Sequence, residues 1–148
     1  MTKVQAAVGV IQLKKLEGFI AARRRLGQQR TEILSEVPEL TLPCEPPDCE
    51  HSYYLYTVLV PKEWAGEKRD QFNAIMGEDF NIGCLVANPP VHNTVPYIAK
   101  FAGHWHLPVS EEIASRLTCI CLHPSMTSEQ NEYICAATIE TVERLRSA

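Results

Sequence analysis

A chain of 148 residues with 14 basic and 18 acidic side chains, a formal net charge of −4, is long enough for one domain with its own hydrophobic core. No run approaches the roughly 20 apolar residues of a membrane-spanning helix. No basic segment leads into an apolar stretch and a cleavage site, so neither a membrane protein nor a secretory precursor is expected. The six cysteines are accordingly read as reduced thiols of a cytoplasmic protein rather than as three disulfides.

From about Lys3 to Glu36 the chain lacks proline, and apolar residues recur at Ala6, Val10, Leu13, Leu16 and Ile20. Spacings of three and four predict a long helix with that stripe turned inward. Gly9, Gly18 and Gly27 are the places where it would bend or pack closely, and Pro38 marks its end. Residues up to Val37 carry seven basic and three acidic side chains, and the remainder seven and fifteen. The run Arg23-Arg24-Arg25 has no interleaved aromatics and is followed by an acidic segment. It is read as a solvated or interface face, with no nucleic acid as partner.

Pro38 to Glu50 is proline-rich and acidic, hence an irregular connector. The aromatic and β-branched run Ser52 to Val60 predicts a strand stopped by Pro61. A helix follows from about Gly66 to Phe80, with Phe72, Ile75 and Met76 inward. A short strand, Ile82 to Ala87, leads into Asn88-Pro89-Pro90-Val91-His92, where two prolines argue against regular structure. Short helices are expected near Val95 to Phe101 and after Pro108, the latter capped by Ser110. Thr118 to Leu122 reads as a buried strand. The last helix starts after Thr127, with Gln130 completing a capping box, and runs nearly to Arg146. The fold class is α/β of the α+β type. A long N-terminal helix (1–37) precedes a small α/β domain (38–148) with a mainly antiparallel sheet of about three strands, helices packed on one face, the two forming one structural unit.

Chemistry leaves few marks. There is no Gly-x-Gly-x-x-Gly, no phosphate-cradling Gly-x-x-x-x-Gly-Lys-Ser/Thr and no Gly-x-Ser-x-Gly elbow. Cys119, Cys121 and His123 alternate and would share one strand face, and His104 and His106 have the same spacing. Zinc accepts such ligands, but cysteine is also a common core residue. The preferred reading is packed core plus loop histidines, and no metal ligand is assigned. Cys44 and Cys49 lie in the connector without thioredoxin-like spacing.

Several local motifs in order resemble one family. Met1-Thr2-Lys3-Val4-Gln5-Ala6-Ala7-Val8-Gly9, with Gln12-Leu13, Leu16 and Arg23-Arg24, is similar to the interdomain helix of DegT/DnrJ/StrS aminotransferases. His51-Ser52-Tyr53-Tyr54-Leu55-Tyr56-Thr57-Val58 resembles that family's first small-domain strand. Asn88-Pro89-Pro90-Val91-His92 with Pro96-Tyr97 resembles its substrate-side loop. Leu107-Pro108-Val109-Ser110-Glu111 and His123-Pro124-Ser125-Met126-Thr127-Ser128-Glu129-Gln130-Asn131 complete the pattern.

The resemblance implies the C-terminal small domain of a homodimeric, pyridoxal-phosphate-dependent enzyme of fold type I. Such enzymes aminate keto-sugars, often nucleotide-linked, or cyclitols. It implies a substrate-binding role for Asn88, His92, Asn93 and Tyr97. The family's Schiff-base lysine, ring-nitrogen aspartate and most phosphate ligands precede the matched region. No catalytic or cofactor-binding residue is therefore carried over, and the chain alone is expected to be inactive, a truncated or split form. The expected partners are a second copy through the N-terminal helix, a separate large pyridoxal-phosphate-binding domain and a sugar-like small molecule, with no membrane. The alternative is a free-standing, non-catalytic sugar-binding or dimerisation module.

Overall fold

The computed structural model describes residues 1–87 and 89–147. The N-terminal helical segment is two helices, α1 (Lys3–Leu13) and α2 (Leu16–Leu34). The break falls at Lys14 and Lys15, where the Lys15 amide tightens onto Gln12 O at 3.0 Å, and not at a glycine. A Cβ on Gly9 or Gly18 would meet nothing within 4 Å, whereas one on Gly27 would lie 2.5 Å from Tyr53 Cδ1. Of these three, Gly27 alone packs closely.

The expected inward stripe does not reach a core. No residue of α1 is buried, and Val10, Leu13 and Leu16 are exposed along with Val4, Val8 and Ile11. Burial begins further along α2, at Leu26, Gly27, Arg30 and Leu34. Helical periodicity identifies an apolar face but says nothing about whether the same chain covers it.

Three strands form one antiparallel sheet in the order β1 (Tyr56–Leu59), β3 (Leu117–Ile120), β2 (Cys84–Leu85). Tyr56 stands opposite Ile120 and Leu59 opposite Leu117, while Cys84 also faces Ile120 across β3's other edge. Thr41 exchanges backbone bonds of 2.9 and 3.0 Å with Leu59, which shields the outer edge of β1. Tyr56 and Val58 alternate with half-buried neighbours, as one buried strand face requires.

Strand β1 is shorter than its sequence suggests. Tyr53 adopts a φ of 49°, which interrupts the extended run. Its ring is then laid against Gly27 and stacked 6.2 Å from Tyr56. The residues before β1 are held to α2 by arginines expected to form a solvated or interface face. Arg23 donates to Tyr53 O, Tyr54 O and Leu122 O at 3.1, 2.9 and 3.1 Å. Arg24 donates to Glu45 and to His51 O, both at 2.9 Å. Glu45 also accepts from the His51 amide, and these donors hold its carboxyl below the ordinary carboxylate range. The basic run is thus mostly an internal clamp.

Helices α2, α3 (Glu67–Glu78) and α7 (Ser128–Ser147) pack together on the sheet. Leu26, Leu34, Phe72, Met76, Ile134 and Val142 form the centre of the core with Tyr56, Val58 and Ile120. Thr127 and Gln130 make the expected capping box of α7, at 2.9 and 3.1 Å. A cation lies inside this core. Arg30 is fully buried, donates to Asn131 Oδ1 at 2.9 Å and lies 4.8 Å over the Tyr56 ring. Among the described residues its Nη1 has no partner, and burial pushes its pKa down.

Between β2 and β3 the chain makes α4 (Val91–Thr94), α5 (Pro96–Ala102) and α6 (Pro108–Arg116). Helix α4 begins directly after Pro90, so the double proline ends at a helix start instead of excluding one. Proline lacks only a donor that the first turn leaves unused. Ser110 is not the cap of α6. That position belongs to Leu107, and Ser110 lies inside the first turn.

Candidate functional site

Helix α4 is tied to α6 through His92 and packs on α5. Of the four residues expected to touch a ligand, Asn88 lies outside the described residues, as does the side chain of Asn93. Tyr97 is 75% exposed on α5, with its ring edge-on to Phe101 at 5.4 Å. It presents a free ring face and a hydroxyl. His92, by contrast, is only 7% exposed.

His92 is held from α6. Its Nε2 lies 2.9 Å from Glu111 Oε1, which also accepts from the Leu107 amide at 3.0 Å. The other carboxylate oxygen meets His106 Nδ1 at 3.1 Å. One carboxylate therefore ties α4, the start of α6 and the preceding turn together. The Leu107 amide, then the His92 hydrogen bond, hold the Glu111 carboxyl below its ordinary range against the opposing effect of burial. Glu111 also borders a hollow of about 450 Å³ with Pro89, Pro90, Thr94 and Arg69. Arg69 is committed elsewhere, donating to Ala114 O and Leu117 O at 3.0 and 2.7 Å.

Sequence reasoning named His92 and missed Glu111. The available signal was a proline at the first position of α6 with an acid three residues on, where its carboxylate can reach back to a free amide of the first turn. A second hollow of about 400 Å³ lies on α2 between Leu16, Phe19, Ile20, Arg23, Tyr54 and Pro124 and is mainly apolar.

The sulfur and imidazole alternation does not share a face. Strand β3 ends at Ile120, Cys119 is buried, and Cys121 and His123 are exposed. Among the described residues no three His, Cys, Asp or Glu side chains gather as a metal set. All six cysteines are free thiols, and burial pushes the Cys84 thiol up to about 12.

A three-stranded antiparallel sheet backed by helices is the fold that this chain shares with part of solved aminotransferases. Solved sugar aminotransferases superpose on it. DesV of S. venezuelae is 28% identical, with a TM-score of 0.83 over 95% of this chain and 36% of its own. The profile of the DegT/DnrJ/EryC1/StrS aminotransferase family matches residues 1–139, and the chain belongs to that family. It is 28% identical over 97% of its length to the spore coat polysaccharide biosynthesis protein SpsC of Bacillus subtilis (strain 168). It is 37% identical over 82% of its length to the dTDP-4-dehydro-2,3,6-trideoxy-D-glucose 4-aminotransferase of Saccharopolyspora spinosa. The chain spans only 37% and 29% of those two relatives.

Pyridoxal phosphate acts as an electron sink where a lysine forms its Schiff base and an acid holds the ring nitrogen protonated. Lys3, Lys14, Lys15, Lys62 and Lys100 are exposed. Lys62 is paired with Glu112 at 3.0 Å, and Lys68 lies 5.3 Å over the Trp64 ring. An exposed or ion-paired ammonium is not the desolvated amine that the chemistry requires. Among the described residues no lysine is a buried, unpaired amine, and no step through the cofactor follows from them.

Proposed function

We propose that this chain is the C-terminal, substrate-side small domain of a pyridoxal-phosphate-dependent aminotransferase acting on a keto-sugar, often nucleotide-linked, or on a cyclitol. The cofactor and its lysine belong to a large domain outside these 148 residues. The loop from Asn88 to Tyr97 forms one wall of the substrate pocket, and the chain alone is inactive. The observation that carries the reading is the held loop, in which His92 is fixed by Glu111 while Tyr97 stays open. A rigid scaffold presenting a few polar groups and a ring suits a sugar.

The unburied helix α1 supports the second part of the reading. Val4, Val8 and Ile11 leave an apolar strip on a helix that this chain does not cover, and such strips mark contact surfaces. A two-fold dimer through α1 is the simplest cover. Among the described residues no helix is long and apolar enough to cross a membrane.

The test is a chimera in which the chain replaces the corresponding third of SpsC. Amino transfer to a nucleotide-linked keto-sugar is then measured. His92→Ala and Tyr97→Ala should each raise KM or lower turnover while the circular dichroism spectrum stays unchanged. An active chimera in which both variants keep wild-type kinetics removes the loop from the pocket.

A further inference from the structure

Glu111 is the residue on which the lobe between β2 and β3 converges. It reaches back within α6 to the Leu107 amide and across to α4, where His92 is nearly enclosed. The two bonds share Oε1, and Oε2 is left to the exposed His106. An ionised carboxylate can only accept. The Leu107 N–H points at the same oxygen and favours that ionised state. His92 must therefore carry its proton on Nε2, so a neutral ring has its lone pair on Nδ1. Among the described residues no hydrogen bond engages Nδ1. A carboxylate that fixes one ring nitrogen in this way sets both the tautomer and the ring plane of the other.

We propose that Glu111 is a positioning residue that holds His92 as a hydrogen-bond acceptor at Nδ1, directed to a hydroxyl donor of a sugar-like ligand. This rests on the reading of the α4–α5 loop as a substrate wall. It adds the polarity of the contact, because His92 accepts from a hydroxyl and does not donate to a phosphate or a carbonyl. The proposal also explains why a residue in a ligand loop is nearly enclosed. Only one edge of the ring is needed, and burial of the rest limits its motion.

The experiment uses the full chain with nitrogen-labelled histidine, in which long-range proton–nitrogen correlations report each ring's tautomer. Wild type should show His92 protonated at Nε2. In Glu111→Gln the amide still accepts from Leu107 but can also donate to His92, so the tautomer should become mixed while α4 and α5 stay protected from hydrogen exchange. In Glu111→Ala both should change, with protection over residues 91–102 falling about tenfold or more and that of α7 unchanged. The Nδ1–H tautomer in wild type, or an unaltered tautomer in Glu111→Gln, overturns the proposal.

A second arm adds dTDP-glucose as the hydroxyl-bearing probe and follows the Nδ1 resonance. A shift in wild type that weakens at least threefold in Glu111→Gln supports the acceptor role. If the tautomer behaves as stated but the probe leaves Nδ1 unmoved, the substrate-wall reading fails and the ligand-directed role of Glu111 fails with it. If the probe moves Nδ1 equally in both proteins, the loop reading stands and Glu111 does not position His92.

Discussion

Arg30 offers the sharpest test of how the helices are held. Its guanidinium is fully buried, donates to no carboxylate among the described residues and has one bond of good geometry, to Asn131 Oδ1 at 2.9 Å. The Tyr56 face at 4.8 Å contributes a further ~0.5–2 kcal/mol. Changing Asn131 to Leu strands the cation and also removes the 3.0 Å bond to Leu26 O, which together should cost about 3–5 kcal/mol. Changing Arg30 to Met leaves Asn131 Oδ1 without its donor, a loss of about 1–3 kcal/mol. That loss is offset because the desolvated guanidinium has gone. In the double variant neither polar group remains, and its stability should lie within about 1 kcal/mol of wild type or above it. Urea unfolding at constant m gives all four corners of the cycle. Additive single effects, or a double variant no better than Asn131→Leu, would refute the argument that this pair is a mutually dependent unit.

Other outcomes follow from the same packing. Gly27→Ala puts a methyl 2.5 Å from Tyr53 Cδ1 and should cost about 1–3 kcal/mol, whereas Gly18→Ala, which meets nothing, should be neutral or stabilising by thermal melting. Glu45 and Glu111 have carboxyl pKa values depressed by folding. Their stabilisation is present above the ordinary carboxylate pKa and is lost as pH falls through the depressed folded value. Amide exchange at His51 and Leu107 should therefore accelerate in acid before that of α7 does, and simultaneous loss would contradict the local clamps. Val8→Glu with Ile11→Glu should convert a self-associating chain into a monomer in sedimentation, without change in melting temperature. A wild-type chain that is monomeric at high concentration rules out association through α1.

The sequence made the framework readable where local chemistry and tertiary context agree. The capping box at Thr127 and Gln130, the strand ending before Pro61 and the inward Phe72 and Met76 all depend on neighbours within a few residues. The misread segments depend on distant ones. Ser52 to Tyr54 has strand composition, but Arg23 and Gly27 on α2 draw Tyr53 into a left-handed turn. The stripe of α1 has helical period, but none of its residues is buried. The candidate loop was marked out by its prolines and polar residues. Glu111 was not, because its bond to His92 joins residues 19 apart in sequence across two helices.

As a wall of a sugar pocket, the segment 89–97 should bind a sugar nucleotide by itself. Titration of the full chain with dTDP-glucose, followed by amide and side-chain resonances, tests it without any other domain. Weak, saturable shifts confined to residues 89–97 and Glu111 are predicted, since one wall alone binds poorly. Saturable shifts centred instead on the hollow beside Cys121 and Tyr133, or none at ligand concentrations of tens of millimolar (about the weakest affinity such a half-site would show), would contradict it.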